Sequence, residues 1–152
     1  MEALIEYLSR HYRHVAEVGI GSYAKVALAL QARGLSVVAT DIQPQALGIP
    51  VEFDDLTAPR LDLYKGAEAI YAVRPPPELV PPLKQLAGLL AADLVVRPLA
   101  SEPVDGLLVT RAGSFFYLFA FGERRKQTVT WSDLAGAPSG RYLPSNSTVA
   151  RA

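Results

Sequence analysis

Four acids, two glycines and two arginines stand where this chain could do chemistry. Glu17 precedes Gly19 and Gly21 in EVGIGSYAK, Asp41 falls near the end of VVATDI, Asp54 and Asp55 lie in VEFDDLT, and Arg74 and Arg97 each precede a proline. Glycines one residue apart, after an apolar run and before a helical pattern, let a backbone turn tightly and bring its N–H groups close to a ligand. Gly19, Gly21 and Ala24 satisfy the G-x-G-x-x-[GA] spacing of a dinucleotide fingerprint, and Asp41 follows at about the distance for a ribose hydroxyl. Glu17 points elsewhere. A carboxylate inside a buried strand is costly unless it meets a donor; an ammonium would be such a donor, whereas a pyrophosphate would repel it. Each acid also has a plainer reading: Asp41 as a turn cap, Asp54 and Asp55 as a solvated turn, Glu17 as a partner of Arg13 or Lys25.

These residues act together only if the chain brings them to one place. Leu4, Ile5 and Leu8 predict a short amphipathic helix within 1–12. HVAEVGI (14–20) reads as a buried strand, and SYAKVALALQARG (22–34) as a helix with Val26, Ala27 and Leu30 on one face and Gly34 as its stop. LSVVATDI (35–42) is the next strand, so this strand-helix-strand unit should be parallel with a right-handed crossover. A weaker strand is expected at 50–53, a short helical segment around 59–65, and a strand at 67–74 cut off by Pro75–Pro77. Leu79, Leu83, Leu86 and Leu90 form a helical stripe, with Pro81 and Pro82 in its first turn. Another strand covers 92–100, and 105–122 reads as a hairpin turning near Ala112–Ser114. Repeated β-α units followed by a hairpin predict a three-layer α/β sandwich around a mostly parallel sheet. Its ligands belong at the carboxyl ends of the strands, where the topology reverses. Residues 1–122 are expected to form one domain, and the turn-rich 123–152 a partly docked extension.

With those motifs in place, the chain resembles the Rossmann-like methyltransferases that use S-adenosylmethionine. EVGIGS looks like their acid-x-Gly-x-Gly motif, VVATDI like the motif whose acid binds the ribose, and VEFDDLT like the one whose acid meets the adenine amino group. The resemblance implies that Glu17, Gly19 and Gly21 line the methionine part of S-adenosylmethionine, Asp41 the ribose, Ile42 one face of adenine, and Asp54 or Asp55 its edge. It implies a class I methyltransferase-like sheet. Tyr23 departs from it, standing where many such enzymes carry a third glycine.

The segment YAVRPPPEL (71–79) departs further. Amino-group methyltransferases place Asp or Asn before a Pro-Pro-aromatic run there; this chain has Arg74, three prolines and Glu78. Arginine cannot accept a proton at neutral pH, but it can clamp a carboxylate or phosphate; alternatively it pairs with Glu78. Arg74 and Glu78 are therefore the candidates for substrate chemistry. Arg97, and with it Arg111, would extend an anion site along the same edge. Taken together, E-V-G-x-G, A-T-D-I, F-D-D and I-Y-x-x-R-P-P-P-E-L resemble a small family of archaeal proteins of unknown function with the methyltransferase core, over roughly residues 1–122.

Composition narrows the alternatives. The 152 residues are 50% hydrophobic and 20% charged, with 15 basic against 15 acidic side chains. That is globular, with no global pull toward nucleic acid; Arg124, Arg125 and Lys126 are the one run where such contact would be made. The absence of cysteine excludes disulfides and thiol nucleophiles and suits the cytoplasm. No Ser lies in a G-x-S-x-G elbow, and His11 and His14 lack the carboxylate spacing of a metal site. No run approaches the ~20 apolar residues of a membrane span. The reading is a small S-adenosylmethionine-binding protein, a methyltransferase or a non-catalytic module, binding a nucleoside ligand and, through its aromatic hairpin, a second copy. Of these the non-catalytic module is the second choice, and a protein binding NAD the third.

Overall fold

The computed structural model describes residues 1–99, 105–111 and 113–121. The strands β1 (His14–Val18), β2 (Ser36–Asp41), β3 (Val51–Phe53), β4 (Ala69–Val73), β5 (Asp93–Arg97), β6 (Leu107–Arg111) and β7 (Ser114–Phe119) form one sheet in the order β3-β2-β1-β4-β5-β7-β6. The first five strands are parallel, and β7 runs antiparallel to both β5 and β6. This is the mostly parallel Rossmann-like sheet ending in a hairpin that the sequence predicts. The element limits also follow the pattern, trimmed by one to three residues where turns begin.

The helices α1 (Glu2–His11) and α2 (Lys25–Ala32) cover one face, and α3 (Val80–Leu90) covers the other. On the first face Leu4, Ile5, Leu8, Val26 and Leu30 pack with Val15, Tyr71, Val95 and Phe116. On the second, Leu83, Leu86 and Ala87 pack with Ile70, Ala72, Leu94 and Val96. Strands β4 and β5 are therefore apolar on both faces, as parallel strands between two helical layers must be. Each buried Leu or Val contributes roughly 1.5–3 kcal/mol of transfer free energy. The prolines at 81 and 82 sit in the first turn of α3, where their missing N–H groups cost no intrahelical bond.

The hairpin strand β7 resolves the aromatic stripe of the sequence. Phe116, Leu118 and Ala120 enter the core under α1, while Phe119 enters the α3 side and Phe115, Tyr117 and Phe121 stay partly exposed. No described helix is long and apolar enough to cross a membrane. The expected extension at 123–152, with Arg124, Arg125 and Lys126, lies outside the described residues.

Candidate functional site

The chain leaves β1 for β2 and β3 on one side, then returns to β4 on the other side of β1. The topological switch, where ligands of such sheets bind, is thus the crevice between the ends of β1 and β4. Gly19 and Gly21 stand on its β1 side and Arg74 on its β4 side.

The glycine turn is tied to β2. The N–H groups of Gly19 and Ile20 donate to the Thr40 carbonyl at 2.9 and 3.2 Å, and Gly21 N–H donates to Asp41 Oδ2 at 2.7 Å. Asp41 Oδ1 accepts from Gln43 N–H at 2.8 Å. Gly19 and Gly21 have φ of 72° and 59°, in the left-handed region that a Cβ disfavours. A Cβ at either position would meet no atom within 4 Å, so conformation, rather than crowding, requires glycine here. Ile42, the residue after Asp41, is 58% exposed.

Glu17 lies deeper. It is fully buried on the α1–α2 face and pairs in register with Tyr71 of β4. Among the described residues the Glu17 carboxyl and the Tyr71 hydroxyl meet no hydrogen-bond partner other than each other. Burial pushes the Glu17 carboxyl up to about 8, against a smaller opposing pull from Tyr71, so the acid is mostly neutral at pH 7. Burial and the neighbouring Glu17 also raise the Tyr71 phenol well above its usual range. Glu17 makes no ion pair with Arg13 or Lys25.

The two acids after β3 are engaged by their own loop. Asp54 is buried; its Oδ2 accepts from the Tyr64 hydroxyl and its Oδ1 from Arg60 N–H at 2.9 Å, with Arg60 Nε at 3.7 Å. Tyr64 also meets Thr40 Oγ1 at 3.1 Å. Asp55 accepts from the hydroxyl and N–H of Thr57 at 2.7 and 2.9 Å, bonds that lower its pKa. Sequence reasoning passed over Thr40, Arg60 and Tyr64. The available signal for Thr40 was a hydroxyl directly after the apolar run VVA (37–39); no spacing pointed to Tyr64 or Arg60.

Across the crevice the groups are cationic. Arg74 follows β4 with φ of 55°, one of two non-glycine residues at positive φ among the described residues. Its N–H donates to the Arg97 carbonyl at 2.6 Å, and its guanidinium lies 5.2 Å from the ring centroid of Tyr23. That contact accounts for the tyrosine where a third glycine was expected: the ring supports Arg74 across the crevice. The Arg97 guanidinium lies 4.4 Å from the centroid of Phe115. Burial and the nearby Arg74 charge both lower the Arg97 pKa. Among the described residues neither guanidinium meets a carboxylate at ion-pair distance, and Glu78 stands exposed in the turn Pro77–Leu79 without pairing to Arg74. The structure therefore brings Arg74 and Arg97 together, as the sequence suggested. Arg111 ends β6 at the same sheet edge, opposite Ser114.

Among solved structures, the chain is similar to the sugar N-methyltransferase KedS8 from Streptoalloteichus, at 16% identity and a TM-score of 0.48, covering 77% of this chain and 56% of that one. It is similar to monomeric WbdD at 18% identity and a TM-score of 0.47, covering 77% and 39%. The chain thus spans about half the length, or less, of these structures. Among sequences, it is 37% identical over 121 residues to a UPF0146 protein of Archaeoglobus fulgidus, covering 78% of this chain and 93% of that protein. It is 34% identical over 127 residues to a UPF0146 protein of Pyrococcus abyssi, covering 77% and 97%. The glycine turn, the acids and the arginine-proline corner all fall within residues 1–120, which match the model of the uncharacterised protein family UPF0146, and the chain belongs to that family.

Proposed function

We propose that this protein binds S-adenosylmethionine at the carboxyl edge of β1 and β2 and transfers its methyl group to a small acceptor. The observation that carries the reading is Asp41: a partly exposed carboxylate held against the glycine turn by Gly21 and Gln43 N–H groups. Its two oxygens offer about four acceptor positions, so two remain for ribose hydroxyls. Exposed Ile42 offers adenine an apolar face beside it, and Phe53, 52% exposed, ends the neighbouring strand.

The ligand would supply an electrophilic methyl group; the chain's own task is to hold donor and acceptor in line. Arg74 cannot accept a proton, and Glu78 is the exposed carboxylate closest in sequence to the β4 corner. A nicotinamide dinucleotide is the second reading, favoured by one observation: a neutral Glu17 does not repel a pyrophosphate.

Calorimetric titration with S-adenosylmethionine, S-adenosylhomocysteine and NAD separates the two. The adenosyl ligands should bind; binding of NAD alone would overturn the assignment. If the ligand's ammonium reaches Glu17, it must ionise an acid that is mostly neutral at pH 7, and binding should release close to one proton. Buffers of different ionisation enthalpy read that release directly. Its absence would place Glu17 outside the ligand's reach.

A further inference from the structure

The ends of β4 and β5 hold two positive charges that the described residues leave unanswered. Val73 and Arg97 are in register, so Arg74 and Arg97 emerge side by side at the sheet edge. Each guanidinium lies over an aromatic ring, Arg74 over Tyr23 and Arg97 over Phe115. A guanidinium held against a ring keeps its N–H fork as donors for acceptors. Among the described residues Arg97 Nε is buried without a hydrogen-bond partner, and Nη1 reaches the Pro98 carbonyl at 3.5 Å. Arg74 is exposed and Arg97 partly buried, and the two like charges are near enough that Arg74 disfavours the charged form of Arg97.

Backbone strain points to the same place. Arg74 adopts a conformation that costs an L-residue roughly 1–2 kcal/mol and that glycine takes freely. A guanidinium placed there at that cost, on the switch crevice, marks a site rather than a surface accident. The ligand that answers two forked cations is an anion with several in-plane acceptor oxygens and more than one negative charge. A carboxylate neutralises one guanidinium; a phosphate dianion answers both.

We propose that Arg74 and Arg97 form a receptor for the phosphate group of a second ligand, bound at the ends of β4 and β5 beside the glycine turn. The anion site stands on the two arginines alone. That its ligand is the methyl acceptor, and hence that the acceptor is a phosphorylated small molecule, rests on the function proposed above.

The test is titration of the full chain with inorganic phosphate, followed by calorimetry and by phosphorus NMR line broadening, with acetate as the monoanion control. Saturable phosphate binding is expected, with acetate at least tenfold weaker. Arg74→Gly and Arg97→Gln should each weaken phosphate about tenfold or more, the loss of a charge-assisted hydrogen bond. Arg74→Gly suits a left-handed position, so the fold should survive it, and an unfolding curve verifies this. Undiminished phosphate binding in both variants, equal binding of acetate, or no saturable binding would each overturn the site. S-adenosylhomocysteine titrated in parallel keeps the two proposals apart. Phosphate bound without the nucleoside ligand upholds the anion site and removes the methyl-donor reading; the nucleoside bound without phosphate does the reverse.

Discussion

Two neighbouring strand ends pass through the same left-handed backbone region with opposite residues. After β1, Gly21 has φ of 59° and its N–H is taken by Asp41. After β4, Arg74 has φ of 55° and carries a cation that no described carboxylate meets. On the glycine side the polar groups are answered within the fold: Asp41 by two N–H groups, Asp54 by Tyr64 and Arg60, Thr40 by Tyr64. On the arginine side they are supported by aromatic rings but not neutralised. The difference teaches where to look for each partner. The glycine side is tied together within the fold, whereas on the arginine side the described residues leave two cations without a carboxylate. Glu17 lies between them, buried beside Tyr71 with no cation at ion-pair distance among the described residues.

The largest expected effect is at Glu17. Its carboxyl rises from 4.5 to about 8 on folding, so between those values the native state holds a proton that the unfolded chain has lost. The Glu17 contribution to stability should therefore be fully present below about 4.5, fall as pH rises through the window, and be lost above about 8. At ~1.4 kcal/mol per unit the fall is several kcal/mol. Urea midpoints measured across pH should show this slope in the native protein and lose most of it in Glu17→Gln; a native curve that is flat over the window would place the acid in contact with water.

Asp54→Ala comes next. It leaves the Arg60 N–H without its acceptor and the Tyr64 hydroxyl with Thr40 Oγ1 as its remaining partner, and should lower unfolding stability by about 2 kcal/mol. An effect under ~0.5 kcal/mol, in the range of ordinary surface changes, would break the claim that this side depends on its internal network. Asp41→Ala should weaken S-adenosylhomocysteine by roughly 1–3 kcal/mol, the value of a charge-assisted hydrogen bond. Unchanged affinity would remove Asp41 from the ribose. The smallest effects test the paired turns themselves. Gly21→Ala should cost about 1–2 kcal/mol on conformation alone, because its Cβ would enter open space. Arg74→Gly should stay within about 1 kcal/mol of neutral, since relief of the left-handed strain offsets the lost stacking on Tyr23 and the added freedom of the unfolded chain. Equal losses at both positions would erase the distinction between them.

Much of the fold was legible in the sequence. Short continuous apolar runs, the 3.6-residue stripe of α3, the proline pair in its first turn and the turn at Gly113 are local signals, each read from neighbours in the chain. The site was legible as a set of positions: glycines after the first strand, acids after the second and third, arginines after the fourth and fifth. The state of each group was not. Glu17 was noticed as a buried acid needing a donor, yet its neighbour Tyr71 and its protonation depend on a strand that pairs with β1 from far along the chain. Asp54 and Asp55 looked interchangeable as ligands of adenine. Burial separates them, engaging Asp54 with Tyr64 and leaving Asp55 in a local turn with Thr57. Tyr23 read as a departure from a motif until Arg74 was found over its ring.

By itself, then, the sequence determined which elements form, their order, and which residue types stand at the strand ends, because hydrophobic period and turn chemistry act over a few residues. The tertiary structure alone decided which polar groups are satisfied within the fold and which the described residues leave without a partner. Hydrogen bonding, desolvation and charge repulsion depend on distance in space, and strands remote in the chain supply the neighbours that set them.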